Sequence, residues 1–219
     1  LLFSAMEYPP FYGSKLQNQG PLVEIIVRSY EKVGYNIKVI FTPWARALQW
    51  AESGVTDGII GVWHSTEREK KLLYSEAIFP NRLGFYKRKG EKIEYESFQD
   101  LKEQGVTLGS VIGYIQPKGL AETGIPITYV SDDSQSFKIL SRKRVDLIVV
   151  DKDYARYILQ QPNLVKYSRN IEWMEPVVEE KQQHLALSKT SNKSVRRILD
   201  FNRGLEMIRQ SGEFSEILR

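Results

Sequence analysis

The sequence predicts an α/β fold arranged as two lobes. Short apolar runs alternate with segments of helical period along most of the chain. Two such β-α-β blocks occur, one near each half, and this order calls for parallel sheets with right-handed crossovers. The composition, 42% hydrophobic and 26% charged over 219 residues, is that of an ordinary folded chain, and the length suits one domain or two small lobes.

The first block has the order β-α-β-α-β. Residues 20–33 carry apolar side chains at helical spacing with one polar face, and Gly34 is placed to end that helix. Pro43 occupies a favoured first helical position, and the continuous apolar run 58–62 predicts a buried strand. The predicted elements are strand 1–5, helix 20–33, strand 36–41, helix 43–52 and strand 58–62.

The second block repeats the alternation of predicted strands and helices, and the chain then ends in a long amphipathic helix. Segment 83–89 is expected to be an extended connector, and 185–188 a short apolar stretch that returns the chain. The predicted elements are helix 97–104, strand 106–110, helix 117–122, strand 127–130, helix 134–141, strand 145–150, helix 153–160 and helix 191–211, which Gly212 ends.

Composition excludes several classes of function. The formal charge is 31 − 27 = +4, and basic residues are mixed with acids, as in 67–71, so a nucleic-acid-binding stripe is not predicted. The absence of cysteine excludes disulfides and thiolate chemistry, and His64 and His184 alone do not suggest a metal centre. No cofactor is predicted. There is no apolar run of the ~20 residues that a transmembrane helix needs. The chain opens inside a predicted strand, which suggests an exported protein whose upstream signal peptide was removed.

Two aromatic segments are candidate ligand contacts. The prolines in segment 8–11 fix an extended loop at a strand's carboxyl end, where α/β sheets bind ligands, and Tyr8 could cover a ligand there. Trp44 and Arg46 begin a predicted helix and could offer stacking and charge. The alternative is that the rings and Trp44 pack in the core and Arg46 lies in solvent.

Arg68 is the strongest candidate for binding an anion. Ser65 or Thr66 caps the helix that follows the buried strand, so Arg68 falls in its first turn, which the helix dipole makes unfavourable for a cation. A bidentate carboxylate ligand would explain the position, and an internal ion pair with Glu67, Glu69 or Asp57 is the alternative. His64 beside Ser65 does not indicate a catalytic triad.

Two further segments follow strands in the second block. The glycine-punctuated segment 108–114 could offer main-chain N–H groups to an anion, although a plain turn is the alternative and no nucleotide motif is present. Asp151 could receive an ammonium group at the end of an apolar strand, or it could cap the next helix. Asp57 and Asp146 each precede an apolar strand and are expected to be structural.

Seven segments form a recognisable series along the chain. They are YPPF at 8–11, PWARAL at 43–48, SGVTDGIIG at 53–61, STER at 65–68, YSEAIF at 74–79, LGSVIGY at 108–114 and RVDLIVVD at 144–151. In this order they resemble the type II periplasmic solute-binding proteins, the amino-acid-type receptors of ABC importers known as solute-binding protein family 3. The resemblance spans nearly the whole chain.

The resemblance implies two Rossmann-like α/β lobes joined by a two-strand hinge, the periplasmic binding protein type II fold. Lobe 1 would comprise residues 1–85 with 185–219 returning to it, and lobe 2 would comprise 86–184. The ligand would lie between lobes that close by hinge motion. A monomer that delivers a small molecule to the membrane permease of an ABC importer, in the periplasm, is implied.

The resemblance also assigns roles to residues. Arg68 matches the arginine that binds the ligand carboxylate, and Asp151 matches the acid that takes the ammonium group. Gly113 and Tyr114 match a loop that offers main-chain contacts, Tyr8 and Trp44 match aromatic residues around the ligand, and Arg46 belongs to a subgroup motif. Trp63 stands where many amino-acid receptors have threonine or serine, so it reshapes the expected pocket.

The leading interpretation is a non-enzymatic binding protein for an amino acid or related zwitterion; the ligand could also be another small anion or amine. A sensor domain of a membrane signalling protein would use the same pocket. A dehydratase-like enzyme on this scaffold would need a general acid or base, for which Glu7 and His64 are the candidates.

Overall fold

The computed structural model describes residues 1–219, which form two compact units. The first unit comprises residues 1–80 and 182–219, and the second unit comprises residues 81–181. The chain therefore passes between units within the strands Phe79–Arg88 and Ile171–Ser188. The lobe boundaries expected after residues 85 and 184 fall in these same two strands. None of the helices combines the length and apolar character needed to cross a bilayer.

Strands and helices alternate through most of the chain. The strands are β1 (Leu2–Ala5), β2 (Lys38–Phe41), β3 (Gly58–Trp63), β4 (Leu72–Tyr74), β5 (Phe79–Arg88), β6 (Leu108–Val111), β7 (Ile127–Val130), β8 (Leu147–Asp151) and β9 (Ile171–Ser188). The helices are α1 (Pro21–Glu31), α2 (Trp44–Ser53), α3 (Thr66–Glu69), α4 (Phe98–Glu103), α5 (Leu120–Thr123), α6 (Asp133–Ser141), α7 (Lys152–Ile158), α8 (Val165–Ser168), α9 (Ser194–Gln210) and α10 (Glu213–Ile217).

In the first unit, β1 lies between β2 and β3. Strands β2 and β3 both pair with β1 in parallel, and β9 pairs antiparallel with β3 and β4. Helices α1 and α9 pack closely because Gly204 has no side chain: a Cβ there would lie 1.9 Å from the Ser29 carbonyl oxygen. Their interface includes the rings of Tyr30 and Phe201, whose centroids are 5.2 Å apart.

In the second unit, the strand order is β5-β8-β6-β7. Strand β8 pairs antiparallel with β5 and parallel with β6, and β7 is the edge strand beside β6. Phe85, Leu108 and Leu147 lie in its apolar core together with Leu101 of α4. The βαβ crossovers predicted from the alternating pattern are thus present in both units.

Two strands exceed what the sequence pattern predicted. The expected connector 83–89 is part of β5, a ladder strand beside β8. The expected return at 185–188 is the last part of β9, which begins at Ile171. The earlier part of β9 was missed because charged residues such as Glu172, Glu175 and Glu180 interrupt its apolar pattern, which is compatible with a strand that is only partly buried.

One aspartate device recurs in both units. The Asp57 main-chain N–H donates to the Leu2 carbonyl at 2.7 Å, and Asp57 Oδ2 accepts from the Leu2 N–H at 2.8 Å. The Asp146 N–H likewise donates to the Thr107 carbonyl at 2.9 Å, and Asp146 Oδ2 accepts from the Thr107 N–H at 2.9 Å. The other carboxylate oxygen pairs with an arginine in each case, Arg197 for Asp57 and Arg88 for Asp146. Both aspartates are therefore structural, aligning the starts of neighbouring parallel strands.

Candidate functional site

Arg68 is held in a fixed position in the first unit. Ser65 caps α3 by accepting a hydrogen bond from the Arg68 main-chain N–H at 3.2 Å. The guanidinium donates from Nη1 to the Trp63 carbonyl at 3.0 Å, and its Cζ lies 5.0 Å from the centroid of the Trp44 ring. The side chain is only 7% exposed, and burial lowers the pKa of Arg68 from its usual value. A guanidinium keeps its charge under such a shift, so a fixed, dehydrated cation lies beside two tryptophans.

The carboxylates considered as internal partners of Arg68 each contact another side chain. Glu69 lies 2.7 Å from His64 Nε2, and Asp57 pairs with Arg197 at 2.7 Å. Glu67 pairs with Lys70. The local ion pairs offered as the alternative explanation for Arg68 are thus formed without it.

Helix α2 contributes two predicted residues that differ in environment. Trp44 is buried at its first position, where its ring covers Arg68. Arg46, two residues later, is exposed. Two residues along a helix point in different directions, so the arginine does not share the buried side of α2 with Trp44.

The loop after β1 presents stacked aromatic rings. Tyr8 is buried, and its ring centroid lies 5.8 Å from that of Phe11 and 5.6 Å from that of Tyr12. Tyr12 packs on Gly61, where a Cβ would meet the tyrosine hydroxyl at 2.4 Å. Gly61 also has φ of +73° and lies where the β3–β9 register shifts, so glycine is required there for both conformation and space.

Gln183 is a residue of the first unit that sequence reasoning missed. It pairs with Trp63 across β3 and β9, and its side chain is fully buried. Neither its amide oxygen nor its amide nitrogen has a hydrogen-bond partner in the protein. A buried, unsatisfied amide is costly to a fold, which makes Gln183 a candidate ligand contact. Sequence reasoning missed Gln183 because it lies in a part of β9 that was not predicted to be a strand.

The glycine loop of the second unit follows β6. Gly113 is exposed with φ of +80°, and the Tyr114 hydroxyl donates to Asp133 Oδ2 at 2.9 Å. Residues 112–119 separate β6 from the short helix α5, so the loop does not lead directly into a helix N-terminus as expected. Any anion contact here would come from loop N–H groups alone.

Asp151 caps α7, as the structural alternative proposed. Its Oδ1 accepts from the main-chain N–H groups of Asp153 at 3.0 Å and Tyr154 at 2.7 Å, and its Oδ2 accepts from the N–H of Arg82 at 2.9 Å. The side chain is 1% exposed, and burial raises its pKa to about 6 despite these bonds. The side chain of Asn81 is a further hydrogen-bonding neighbour, so the protein itself already supplies about as many donors as a carboxylate has acceptor sites.

Asp133 is a second carboxylate of this unit that sequence reasoning missed. It is 1% exposed at the start of α6, and burial raises its pKa to about 7. Its Oδ1 has no hydrogen-bond partner. The neighbouring Asp132 caps the helix by accepting from the Gln135 N–H at 3.0 Å. The pair 132–133 resembles an ordinary capping sequence, so nothing in the sequence distinguished the buried acid from the cap.

The groups considered for acid-base chemistry have other contacts. Glu7 is exposed, and its Oε2 accepts from the Ser14 N–H at 2.9 Å. His64 is half-exposed and paired with Glu69. Glu7 thus takes part in a loop contact, and His64 takes part in a surface contact with Glu69.

A family model matches the chain. The model of bacterial extracellular solute-binding proteins, family 3, covers residues 2–219. The chain belongs to this family. The members of family 3 are extracytoplasmic binding proteins, so the resemblance inferred from the seven motifs is confirmed.

Solved structures show that the chain has the family 3 fold. A mutant of ArgBP from T. maritima matches with a TM-score of 0.79 and 20% identity, covering 99% of this chain and 93% of that one. A histidine kinase sensor domain with similarity to periplasmic binding proteins matches with a TM-score of 0.83 and 18% identity, with coverage of 99% and 93%. The GluR0 ligand-binding core from Nostoc punctiforme, in complex with (L)-glutamate, matches with a TM-score of 0.77 and 20% identity, covering 99% and 96%. Comparison with curated protein sequences gave no match. The α/β fold class predicted from the sequence, that of type II periplasmic binding proteins, is confirmed.

Proposed function

We propose that this family 3 protein captures a small polar solute, an amino acid or related zwitterion, in the periplasm and delivers it to the permease of an ABC importer. Family membership supports the binding role. Among similar structures, one is described as the substrate-binding protein of an amino acid ABC transporter, with a TM-score of 0.75 and 21% identity, and another is arginine-bound ArgBP. The protein is proposed to act as a monomer and without catalysis.

The observation that carries the proposal is the geometry of Arg68. The guanidinium is dehydrated, held from one nitrogen by the Trp63 carbonyl and covered by Trp44. Arginine carries five N–H donors in a planar fork, a geometry that matches the two oxygens of a carboxylate. Charge-assisted bonds in a dry site contribute about 1.5–3 kcal/mol each. We therefore assign the ligand carboxylate to Arg68.

The other predicted residues take supporting roles in this proposal. Tyr8, Trp44 and Trp63 supply aromatic surface, and the unsatisfied amide of Gln183 is added to them. From the second unit, Gly113 and Tyr114 contribute loop contacts, and Asp151 attracts the ligand ammonium by its negative charge while it caps α7. Arg46, which is exposed, has no assigned contact and is retained from the subgroup motif only.

A thermal-shift screen tests the proposal. The wild-type protein would be heated with each common amino acid, with small dicarboxylates and with polyamines. A ligand at about 100 times its Kd adds about 2.7 kcal/mol to the free energy of unfolding, which is a Tm increase of roughly 5–11 °C for a chain of this length. Stabilisation by an amino acid supports the proposal. A screen in which only polyamines or dicarboxylates stabilise would overturn the amino-acid assignment.

A sensor domain is the second candidate function. It is favoured by the match to a histidine kinase sensor domain, whose TM-score of 0.83 is above those of the ArgBP and GluR0 matches. The ligand site would be the same and only the output would differ. The gene separates the two: a reading frame continuing into a membrane span and a kinase domain favours sensing, whereas a neighbouring permease gene with no such extension favours import.

A further inference from the structure

Several buried polar atoms of the second unit have no partner in the protein. Three of them are Asp133 Oδ1, Ser136 Oγ and Gln116 Oε1, each with almost no exposed surface. Asp133 and Ser136 are each only 1% exposed as whole residues. Buried polar groups in native proteins nearly always have a partner, so an unpartnered set within one unit calls for an explanation.

These atoms belong to one connected cluster around Tyr114. Asp133 Oδ2 accepts from the Tyr114 hydroxyl at 2.9 Å. The Gln116 side-chain amide donates to the Tyr114 carbonyl at 3.3 Å and to Ser110 Oγ at 2.9 Å. Ser136 lies three residues after Asp133 on α6, which places the two on the same helix face. We call residues 110, 114, 116, 133 and 136 the Tyr114 cluster.

The Tyr114 cluster contains unpartnered hydrogen-bond acceptors but no positively charged side chain. Burial raises the pKa of Asp133, and the neighbouring carboxylates of Asp132 and Asp151 raise it further. Asp151 is itself buried and also has a raised pKa. Two unpaired oxygens, a hydroxyl and two mutually repelling buried carboxylates match a group that carries several N–H donors and a positive charge. A single buried water would donate hydrogen bonds but would not offset the charge.

We propose that Asp133, assisted by Ser136 and Gln116, binds the cationic group of the ligand, an ammonium, amine or guanidinium. The proposal rests on the solute-binding function proposed above, and it adds a ligand-contacting carboxylate besides Asp151. Asp133 and Asp151, both in the second unit, then divide the cation between them.

Calorimetric titration of matched probes tests this role. The probes are L-arginine, L-lysine and L-glutamine, each alongside the analogue in which hydrogen replaces its α-amino group, plus the lysine and arginine analogues with neutral side chains. Asp133→Asn keeps the shape and removes the charge. One of the probes that wild type binds carries the cationic group that Asp133 contacts. We expect Asp133→Asn to bind that probe about 10- to 100-fold more weakly and to bind the analogue without that group almost as well as wild type does.

Asp132→Asn is the control, because asparagine caps a helix as well as aspartate does and the residue is exposed. The affinity of this variant should stay within about threefold of that of wild type, well below the loss expected at position 133.

Each outcome separates the hypotheses. Equal affinity of Asp133→Asn and wild type would overturn the Asp133 assignment and leave the proposed function intact. An equal loss for the cationic ligand and its uncharged analogue would show a structural role and overturn it as well. If neither these probes nor any amino acid of the thermal-shift screen binds the wild-type protein, the proposed amino-acid function is overturned and this inference with it. If Asp133→Asn does not fold, Ser136→Ala replaces it, with an expected loss of about 3- to 10-fold confined to the cationic ligand.

Discussion

The two units use the same device to build their sheets but carry opposite charges in their candidate binding residues. Asp57 and Asp146 each exchange main-chain and side-chain hydrogen bonds with the start of a neighbouring strand and each pair with an arginine. At the other end of the strands, the first unit holds the buried cation of Arg68, whereas the second unit holds the buried carboxylates of Asp133 and Asp151. The two units therefore share the hydrogen bonds at the starts of their strands, and they differ in the charged residues that follow the strands, where binding residues are commonly found.

The largest expected effect is on ligand affinity in the first unit. Arg68→Ala should weaken binding of the ligand found in the thermal-shift screen by at least about 100-fold, because it removes two charge-assisted hydrogen bonds at about 1.5–3 kcal/mol each. Titration calorimetry measures the loss, and circular dichroism checks the fold. Arg196→Ala, at an arginine side chain that is 87% exposed, is the matched control. Affinity within about threefold of wild type, far short of that loss, would remove Arg68 from the site.

The next largest effect is a pH dependence of stability that arises from Asp133 in the second unit. The pKa of Asp133 is raised from 3.8 to about 7 in the folded protein. The folded state therefore binds this proton more tightly than the unfolded state. Its contribution to stability is present below about pH 3.8 and is lost as the pH rises through about 7. The contribution is on the order of 4 kcal/mol.

Urea unfolding of wild type and Asp133→Asn, without ligand, measures that contribution. The difference in free energy of unfolding between the two proteins should move in favour of Asp133→Asn as the pH is raised from mildly acidic to mildly alkaline. Taking the difference removes the opposite trend of carboxylates such as Asp146, whose pKa is lowered by its hydrogen bonds to Thr107 and Arg88 despite burial. A difference that stays constant with pH would contradict a buried, charge-destabilised Asp133.

The shared device should give matched losses of stability in the two units. Asp57→Ala and Asp146→Ala each remove hydrogen bonds to a strand start and leave an arginine without its partner, so each should lower the free energy of unfolding by about 2 kcal/mol. Chemical denaturation measures both. Asparagine at either position keeps the bond to the strand N–H and should lose less. A large loss in one unit with none in the other would show that the two devices are not equivalent.

The smallest expected effect is on the cation–π contact of the first unit. Trp44→Leu keeps apolar volume over Arg68 but removes the ring face, so ligand affinity should fall about fivefold, in keeping with a contact of about 1 kcal/mol. Trp50→Leu, on the same helix, is the matched control. If affinity is unchanged by Trp44→Leu, the ring does not help to position the guanidinium.

The sequence by itself determined the architecture because the fold depends on periodic patterns. The apolar run ending at Val62, the helical spacing of residues 20–33 and the capping serine at position 65 are local signals, and the structure contains the corresponding elements. The sequence also determined the family, since seven motifs occurred in the expected order.

Only the tertiary structure decided which polar side chains lack partners. Asp132 and Asp133 are adjacent and chemically identical in sequence, yet folding exposes one as a cap and buries the other with an unsatisfied oxygen. Gln183 is an ordinary polar residue until β9 pairs it with Trp63. Hydrogen-bond satisfaction depends on what other chain segments bring to the same place, and no local pattern encodes that arrangement.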